Sequence, residues 1–119
     1  TFTINRIIPI VEMLNFYVTA NQPRWQAVGA EGSDIDVANV HADIAEYIWY
    51  ESDGQVKFSQ VINDGITKGV GYFKVYADAH SDHGMGEVKI DTIEPFDVFV
   101  DPKSRDIFYR DAAYIMVHR

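Results

Sequence analysis

The chain has 119 residues, 18 acidic against 10 basic side chains, a formal net charge of −8 and no cysteine. That length suffices for one domain with one modest core. The absence of cysteine excludes disulfides, thiolate nucleophiles and thiolate metal sites. The negative charge repels phosphate, so this segment alone is not expected to grip nucleic acid, although DNA can pass beside it.

The start of the sequence does not have the pattern of a signal peptide. The first residues, TFTINRIIPIVEML, lack a basic stretch followed by a long apolar core, and the chain does not begin with Met. No apolar run approaches the roughly 20 residues that cross a bilayer, so no membrane partner is predicted. We expect a single domain over residues 1–119 that belongs to a longer chain.

Helices are predicted over the first half of the sequence. Residues 5–20 carry an apolar stripe at three- and four-residue steps, and Pro9 requires that the helix begin near Ile8 or be kinked there. Residues 31–54 form a second helix, capped by Ser33 or Asp34. Residues 55–68 form a third. Each helix has an apolar stripe that is expected to face inward. In the first helix it is Ile4, Ile7, Ile8, Val11, Leu14 and Val18, and in the second it is Val37, Val40, Ile44, Tyr47 and Ile48. In the third helix it is Phe58, Val61, Ile62, Gly65 and Ile66.

The second half of the sequence alternates with the period of β-strands. Segments 72–78 and 87–93 alternate apolar and polar residues, and 96–100 and 112–118 are shorter candidates. Segregation of helices and strands favours the α+β class. The predicted fold is therefore about three N-terminal helices packed on an antiparallel β meander of about four strands.

Four aspartates recur through residues 93–117: Asp97, Asp101, Asp106 and Asp111. Each falls at the edge of a predicted element, and Asp101 precedes Pro102, a pattern typical of turns in which the carboxylate accepts backbone N–H groups. The alternative is that Asp97, Asp101 and Asp106, with His80 as a further ligand, form the metal site of a carboxylate-based hydrolase. The turn interpretation is preferred, because no nucleophile motif or metal-ligand spacing supports the enzyme.

Two further segments are candidate ligand-binding sites. Asp78, His80, Asp82 and His83 lie in a predicted hairpin loop, and their ligand types suit zinc or manganese, but such residues are also common in solvated loops. The glycines of residues 64–73 match neither nucleotide-binding pattern and precede a strand instead of a helix. No cofactor is predicted, and whether the loop binds a metal stays open.

Several segments, read together, resemble the portal proteins of tailed bacteriophages, the head-to-tail connectors, most closely those of short-tailed phages. The resemblance covers nearly the whole chain. Its main segments are a D-G-x-x-x-G-x-G-Y run (64–72), an I-x-P-F-D-V-F-V-D-P segment (93–102) and a D-A-A-Y-I segment (111–115).

The resemblance implies a structural role without catalysis. Portal proteins form a ring of about twelve copies at one capsid vertex, a cyclic head-to-tail assembly. DNA is packaged and ejected through the ring without sequence-specific binding, and capsid, scaffold, a separate packaging ATPase and tail adaptor proteins contact it. The implied location is the virion, and the host cytoplasm during assembly. This chain would be part of the outer wing.

Charge suggests where copies of the chain would meet. The KSRDIFYR segment carries Arg105, Asp106 and Arg110, and the second helix is acidic, with Asp43 and Glu46 among its exposed side chains. We expect the basic segment of one copy to contact the acidic helix of the next. Two rival classes remain at this point: the metal-dependent hydrolase and a stand-alone binding module.

Overall fold

The computed structural model describes residues 1–118 as an α+β fold, which confirms the predicted class. The helices are α1 (Ile7–Thr19), α2 (Ile35–Glu51) and α3 (Gly54–Lys68), and the strands are β1 (Tyr72–Asp78), β2 (Glu87–Ile93), β3 (Val98–Val100) and β4 (Ile115–Val117). Among the described residues, none of these helices is both long and apolar enough to cross a membrane.

Helix α1 begins at Ile7, one residue before the predicted start. Pro9 lies in its first turn, where backbone N–H groups have no acceptor within the helix. The Asn5 side chain accepts hydrogen bonds from the N–H groups of Ile7 and Ile8, at 2.9 and 3.2 Å. Asn5 therefore satisfies two donors that the helix leaves free.

Polar contacts fasten α1 to α3. Asn15 donates to the Ser59 carbonyl at 3.2 Å and accepts from the Ser59 hydroxyl at 3.2 Å. Gln55 donates to the Thr19 carbonyl at 3.1 Å. The face of α1 toward α3 is thus the half-buried line Val11, Asn15 and Thr19, at four-residue steps.

The inward faces predicted for α1 and α2 are wrong. On α1 the predicted stripe is exposed apart from Val11, and on α2 only Ile48 of the predicted set is half-buried. The residues of α2 that are buried or half-buried are Ala38, Ala42, Ala45, Ile48 and Trp49. Three of these five are alanines, so most of the aliphatic stripe of α2 lies on the outside.

Helix α3 follows its prediction. Val61 is buried and Phe58, Ile62, Gly65 and Ile66 are half-buried. Asp53, with φ 52°, turns the chain between α2 and α3. A Cβ on the next residue, Gly54, would lie 2.2 Å from the indole ring of Trp49, so only glycine permits this packing.

The strands form two separate two-stranded sheets instead of one continuous meander. Strands β1 and β2 pair antiparallel with Val75 opposite Ile90, and β3 pairs with β4 with Phe99 opposite Met116. A single 3₁₀ turn, Pro95–Asp97, separates β2 from β3 and redirects the chain. The Asp97 carbonyl accepts the His118 N–H at 2.8 Å, which closes the second sheet.

The core is centred on Trp49, which is 5 % exposed. Its ring centroid lies 5.7 Å from that of Trp25, 6.1 Å from Phe73 and 6.3 Å from Phe58, mostly edge to face. Beside this cluster the backbone of Ile90 contacts both neighbouring helices: its N–H donates to the Ser52 hydroxyl at 3.2 Å, and its carbonyl accepts from the Lys57 ammonium at 2.6 Å.

The molecule is elongated and exposes much surface. Its extents are 66 × 36 × 35 Å and its radius of gyration is 18.1 Å, where about 13.5 Å is typical of a compact domain of this length. Its accessible surface is 9683 Å², about 3,200 Å² more than a compact monomer of this mass exposes. Large apolar side chains contribute to this surface: Phe2, Val28, Met85 and Ile107 are each at least 85 % exposed.

Candidate functional site

Three of the four aspartates fasten the backbone of residues 101–114. Asp101 accepts the N–H groups of Lys103 and Ala113, at 2.9 and 3.2 Å. Asp106 accepts the Phe108 N–H at 3.1 Å and the Arg110 side chain at 2.8 Å. The turn interpretation is confirmed for these carboxylates.

Asp111 is the third aspartate that binds the backbone, and its carboxylate accepts more hydrogen bonds than that of Asp101 or Asp106. Its carboxylate accepts the N–H groups of Arg105, at 2.8 Å, and Asp106, at 3.3 Å, and also the Ser104 hydroxyl. The Arg105 N–H and then the Ser104 hydroxyl hold the pKa of the Asp111 carboxyl below its usual value. Asp97 differs, because it is the last residue of the 3₁₀ turn before β3 and contributes its backbone carbonyl.

The turn held by these aspartates has an apolar tip. The Tyr109 N–H donates to the Asp106 carbonyl at 3.1 Å, so Ile107 and Phe108 occupy the two central positions of a β-turn. Their exposed fractions are 85 % and 74 %. Polar residues and glycine usually occupy such positions, so two large apolar residues are unusual in a solvent-exposed turn. We call this pair the Ile107–Phe108 tip.

Neighbouring side chains hold the tip in place. The Arg110 guanidinium lies 5.3 Å from the centre of the Phe108 ring. The Tyr109 side chain lies near Tyr72 of β1, and burial, followed by the influence of Tyr109, raises the pKa of Tyr72 to about 12. The turn therefore lies beside the first sheet.

The hairpin loop after β1 is fastened in the same way. The Asp78 carboxylate accepts from the His80 N–H at 3.0 Å, the Ser81 hydroxyl at 2.7 Å and the Lys89 ammonium at 2.9 Å. Lys89 first, then Ser81 and His80, lower the pKa of Asp78 to about 2. Within residues 1–118, no three His, Asp or Glu side chains are grouped to hold one metal ion.

An apolar cleft lies over the Trp49 cluster and has a volume of about 190 Å³. Trp49 and Ile90 form its buried floor, while Trp25 and Val75 lie at its exposed rim. The full lining, which we call the aromatic cleft, is Pro23, Trp25, Trp49, Phe58, Phe73, Val75 and Ile90.

The predicted contact residues lie on two separate surfaces of one chain. Asp43 and Glu46 are exposed on α2, and Glu46 lines a depression that shares Trp25 and Trp49 with the aromatic cleft and also contains Arg24. Among residues 1–118, no hydrogen bond or ion pair joins α2 to Arg105, Asp106 or Arg110. Asp106 pairs with Arg110 in its own turn, at 2.8 Å.

Comparison with known families decides the class of protein. The family model described as phage P22-like portal protein matches residues 1–119. The chain belongs to the phage P22-like portal protein family. Members are structural proteins of bacteriophages, the head-to-tail connectors. Neither the curated proteins nor the solved structures contain a match to this chain.

The first of the segments that resemble portal proteins, residues 64–72, makes contacts where one secondary-structure element connects to the next. In the run from Asp64 to Tyr72, Lys68 pairs with Asp64 at 3.3 Å and also with Glu94 beyond β2. The hydrogen bond to Glu94, followed by the contact with Asp64, raises the pKa of Lys68. A Cβ on Gly71 would lie 2.3 Å from the Val61 carbonyl oxygen, which explains a glycine between α3 and β1.

Sequence reasoning missed the tip and the cleft. The tip carried a readable signal, namely two large apolar residues between the turn-forming Asp106 and Asp111. The cleft carried none, because its lining comes from residues as far apart as Pro23 and Ile90 and is assembled by tertiary packing.

Proposed function

We propose that residues 1–119 are one structural domain in the wing region of a phage portal ring, where copies of the chain contact one another and the capsid. Membership of the portal family supports the role. The observation that carries the proposal is the large apolar surface that the folded chain leaves uncovered.

The size of this surface suits a permanent assembly. The excess of about 3,200 Å² over a compact monomer is comparable with the roughly 2,000–5,000 Å² of obligate interfaces. The exposed aliphatic stripe of α2, at Val37, Val40 and Ile44, contributes to it. Monomers rarely expose contiguous apolar patches of more than a few hundred Å², so we expect the faces of α1 and α2 to be covered in the assembled protein.

The net negative charge of the chain is compatible with a ring through which DNA moves without being tightly bound. A net charge of −8 repels phosphates and disfavours a tight, sequence-specific complex. In this proposal the domain works by shape and self-association, catalyses no reaction, and is located in the virion after assembly in the host cytoplasm. Capsid, scaffold, packaging ATPase and tail adaptor proteins are the proposed partners of the whole ring of about twelve copies.

The predicted contact between Arg105, Arg110, Asp43 and Glu46 gives the first test. Arg105→Glu and Arg110→Glu together, in the whole protein that contains this chain, should weaken ring assembly measured by native mass spectrometry, and more strongly at low salt because the contact is electrostatic. Arg110 already pairs with Asp106, so Arg105→Glu alone should account for most of the loss.

A charge swap provides the control. Asp43→Lys with Glu46→Lys should restore assembly to the Arg-to-Glu variant if these side chains meet across a subunit boundary. Unchanged assembly of the reversed variant would refute the contact. A wild-type protein that stays monomeric at every concentration would refute the ring itself. Stoichiometric binding of Mn²⁺ or Zn²⁺ in a calorimetric titration would instead favour the hydrolase.

A further inference from the structure

We infer that the Ile107–Phe108 tip of one copy inserts into the aromatic cleft of the neighbouring copy. This inference rests on the proposed self-association and names the residues that carry it. It concerns an apolar anchor, whereas the contact proposed above concerns charges.

The tip has the properties of a preorganised anchor. Its backbone is held by carboxylates on both sides, Asp106 accepting the Phe108 N–H and Asp111 accepting the N–H groups of Arg105 and Asp106. An anchor that is already ordered loses little conformational freedom on binding. Two large apolar side chains held rigidly in water gain most from burial elsewhere.

The cleft has the properties of a receptor for one side chain. Its volume of about 190 Å³ falls below the roughly 300 Å³ at which small-molecule pockets begin. Its lining exposes no polar surface, so a cofactor or a charged group finds no partner there. An aromatic anchor in an aromatic pocket is the usual form of an interface hot spot.

Charge favours the same pairing. Arg105 is exposed and Arg110 is 75 % exposed in its side chain, and these two bases flank the tip. Acidic Glu46 lies in the depression that adjoins the cleft, with Arg24 as the one base there, and Asp43 lies one turn before it on α2. Arg110 is paired with Asp106 at 2.8 Å, so Arg105 is the base beside the tip that can meet the acidic helix when the tip enters the cleft.

The pairing has the symmetry that a ring requires. Tip and cleft are different surfaces of one chain, so each copy offers one of each. A contact of this kind is head-to-tail and propagates until the ring closes. A two-fold dimer would instead use one surface twice.

Cross-linking tests the pairing in the whole protein that contains this chain. Residues 1–119 have no cysteine; any cysteine elsewhere is first replaced by Ser. A protein carrying Ile107→Cys and Val75→Cys keeps the Phe108 ring and, treated with a short bis-maleimide, should give a ladder of covalent multimers. Tyr76→Cys with Ile107→Cys is the matched control, because Tyr76 lies on the opposite face of the same strand and should give none.

Substitution tests the energetic role of the tip. Phe108→Ser should raise the protein concentration needed for half-assembly roughly tenfold to a hundredfold, the cost of leaving one large apolar side chain out of the interface. Phe96→Ser is the matched control, since Phe96 is 73 % exposed and also lies beside a cation, Lys68 at 5.5 Å. It should assemble like wild type.

A mixing experiment separates the anchor from misfolding. Phe108→Ser keeps an intact cleft and Val75→Arg keeps an intact tip. The two are compared at a concentration at which wild type forms rings and neither variant does so alone. An equimolar mixture should form defined dimers and no rings, because one competent contact per pair remains. Dimers in the mixture also demonstrate that both variants are folded.

The outcomes distinguish the two proposals. If wild type forms rings but the Ile107–Val75 pair gives no ladder, or Phe108→Ser assembles like Phe96→Ser, the ring stands and the anchor is refuted. Another segment of the protein would then cover the cleft. If wild type forms no ring, the proposed function fails first.

Discussion

Replacement of Trp49 by Ala should remove a large part of the stability of this fold. The side chain is almost fully buried and contacts three other aromatic rings, those of Trp25, Phe58 and Phe73. Large-to-small substitutions of buried aromatic residues cost about 3–5 kcal/mol. A chain of this length has a free energy of unfolding of roughly 6–18 kcal/mol, and the small core places this one near the lower end.

One feature of Trp49 moves the expected loss toward about 3 kcal/mol. Its indole N–H is buried and has no hydrogen-bond partner among the described residues. An unpaired buried donor itself costs about 1–3 kcal/mol, so deletion of the ring also removes that penalty. Trp49→Phe keeps an aromatic ring and loses the unpaired donor, so it should cost about 1 kcal/mol or less.

Urea unfolding of the chain followed by far-UV circular dichroism measures these differences. Tyr50→Ala is the matched control, because Tyr50 is the next residue of α2 but is 79 % exposed. Its effect should stay within about 0.5 kcal/mol. A loss below about 1 kcal/mol for Trp49→Ala, or equal losses for both variants, would refute a core centred on this ring.

Three further predictions concern joints between elements. Gly71→Ala should cost about 1–3 kcal/mol by forcing α3 away from β1, whereas Gly32→Ala, whose Cβ would meet nothing within 4 Å, should be neutral in the same unfolding assay. Asp111→Ala should speed amide hydrogen exchange at residues 105–106 while leaving α3 protected, and unchanged exchange there would contradict the fastener role. The pKa of Asp78 is about 2, below its ordinary 3.8, so its contribution to stability is complete above about pH 4 and is lost as the pH falls through 2. A carboxyl titration by NMR with a midpoint near 3.8 would show that Lys89 and Ser81 do not hold it.

Local pattern was sufficient to predict most elements of the fold. Residues 72–78 and 87–93 alternate regularly and form strands with those bounds. Pro9 placed the start of α1 within one residue. The strands β3 and β4 are shorter than predicted. The 3₁₀ turn that begins at Pro95 precedes β3, and the turn of residues 101–114 lies between β3 and β4.

Local pattern was insufficient to predict which helix faces are buried. A periodic apolar stripe indicates that a face is covered, but it does not say whether the cover belongs to the same folded chain. The stripe at Val37, Val40 and Ile44 is exposed, whereas Ala38 and Trp49 are buried and Ala42 and Ala45 are half-buried. In a protein that assembles, the most regular apolar face of a helix can be buried by another subunit instead of by its own chain.

The candidate site was predictable where its chemistry is local. The turn roles of Asp101, Asp106 and Asp111 follow from the residues beside them, and the structure confirms them. The association of Arg105 with an acidic helix depends on a second copy and stays a prediction.

The bonds at Ile90 set a limit on how copies of the chain can join. In the antiparallel ladder the N–H and carbonyl of this residue point away from β1, toward the open side of β2, and Ser52 and Lys57 occupy both. An incoming strand would have to displace these two side chains before it could extend the sheet there. At Ile90, therefore, the outer edge of β2 is already occupied by side chains of the same chain, which disfavours growth of the first sheet by strand addition at this point.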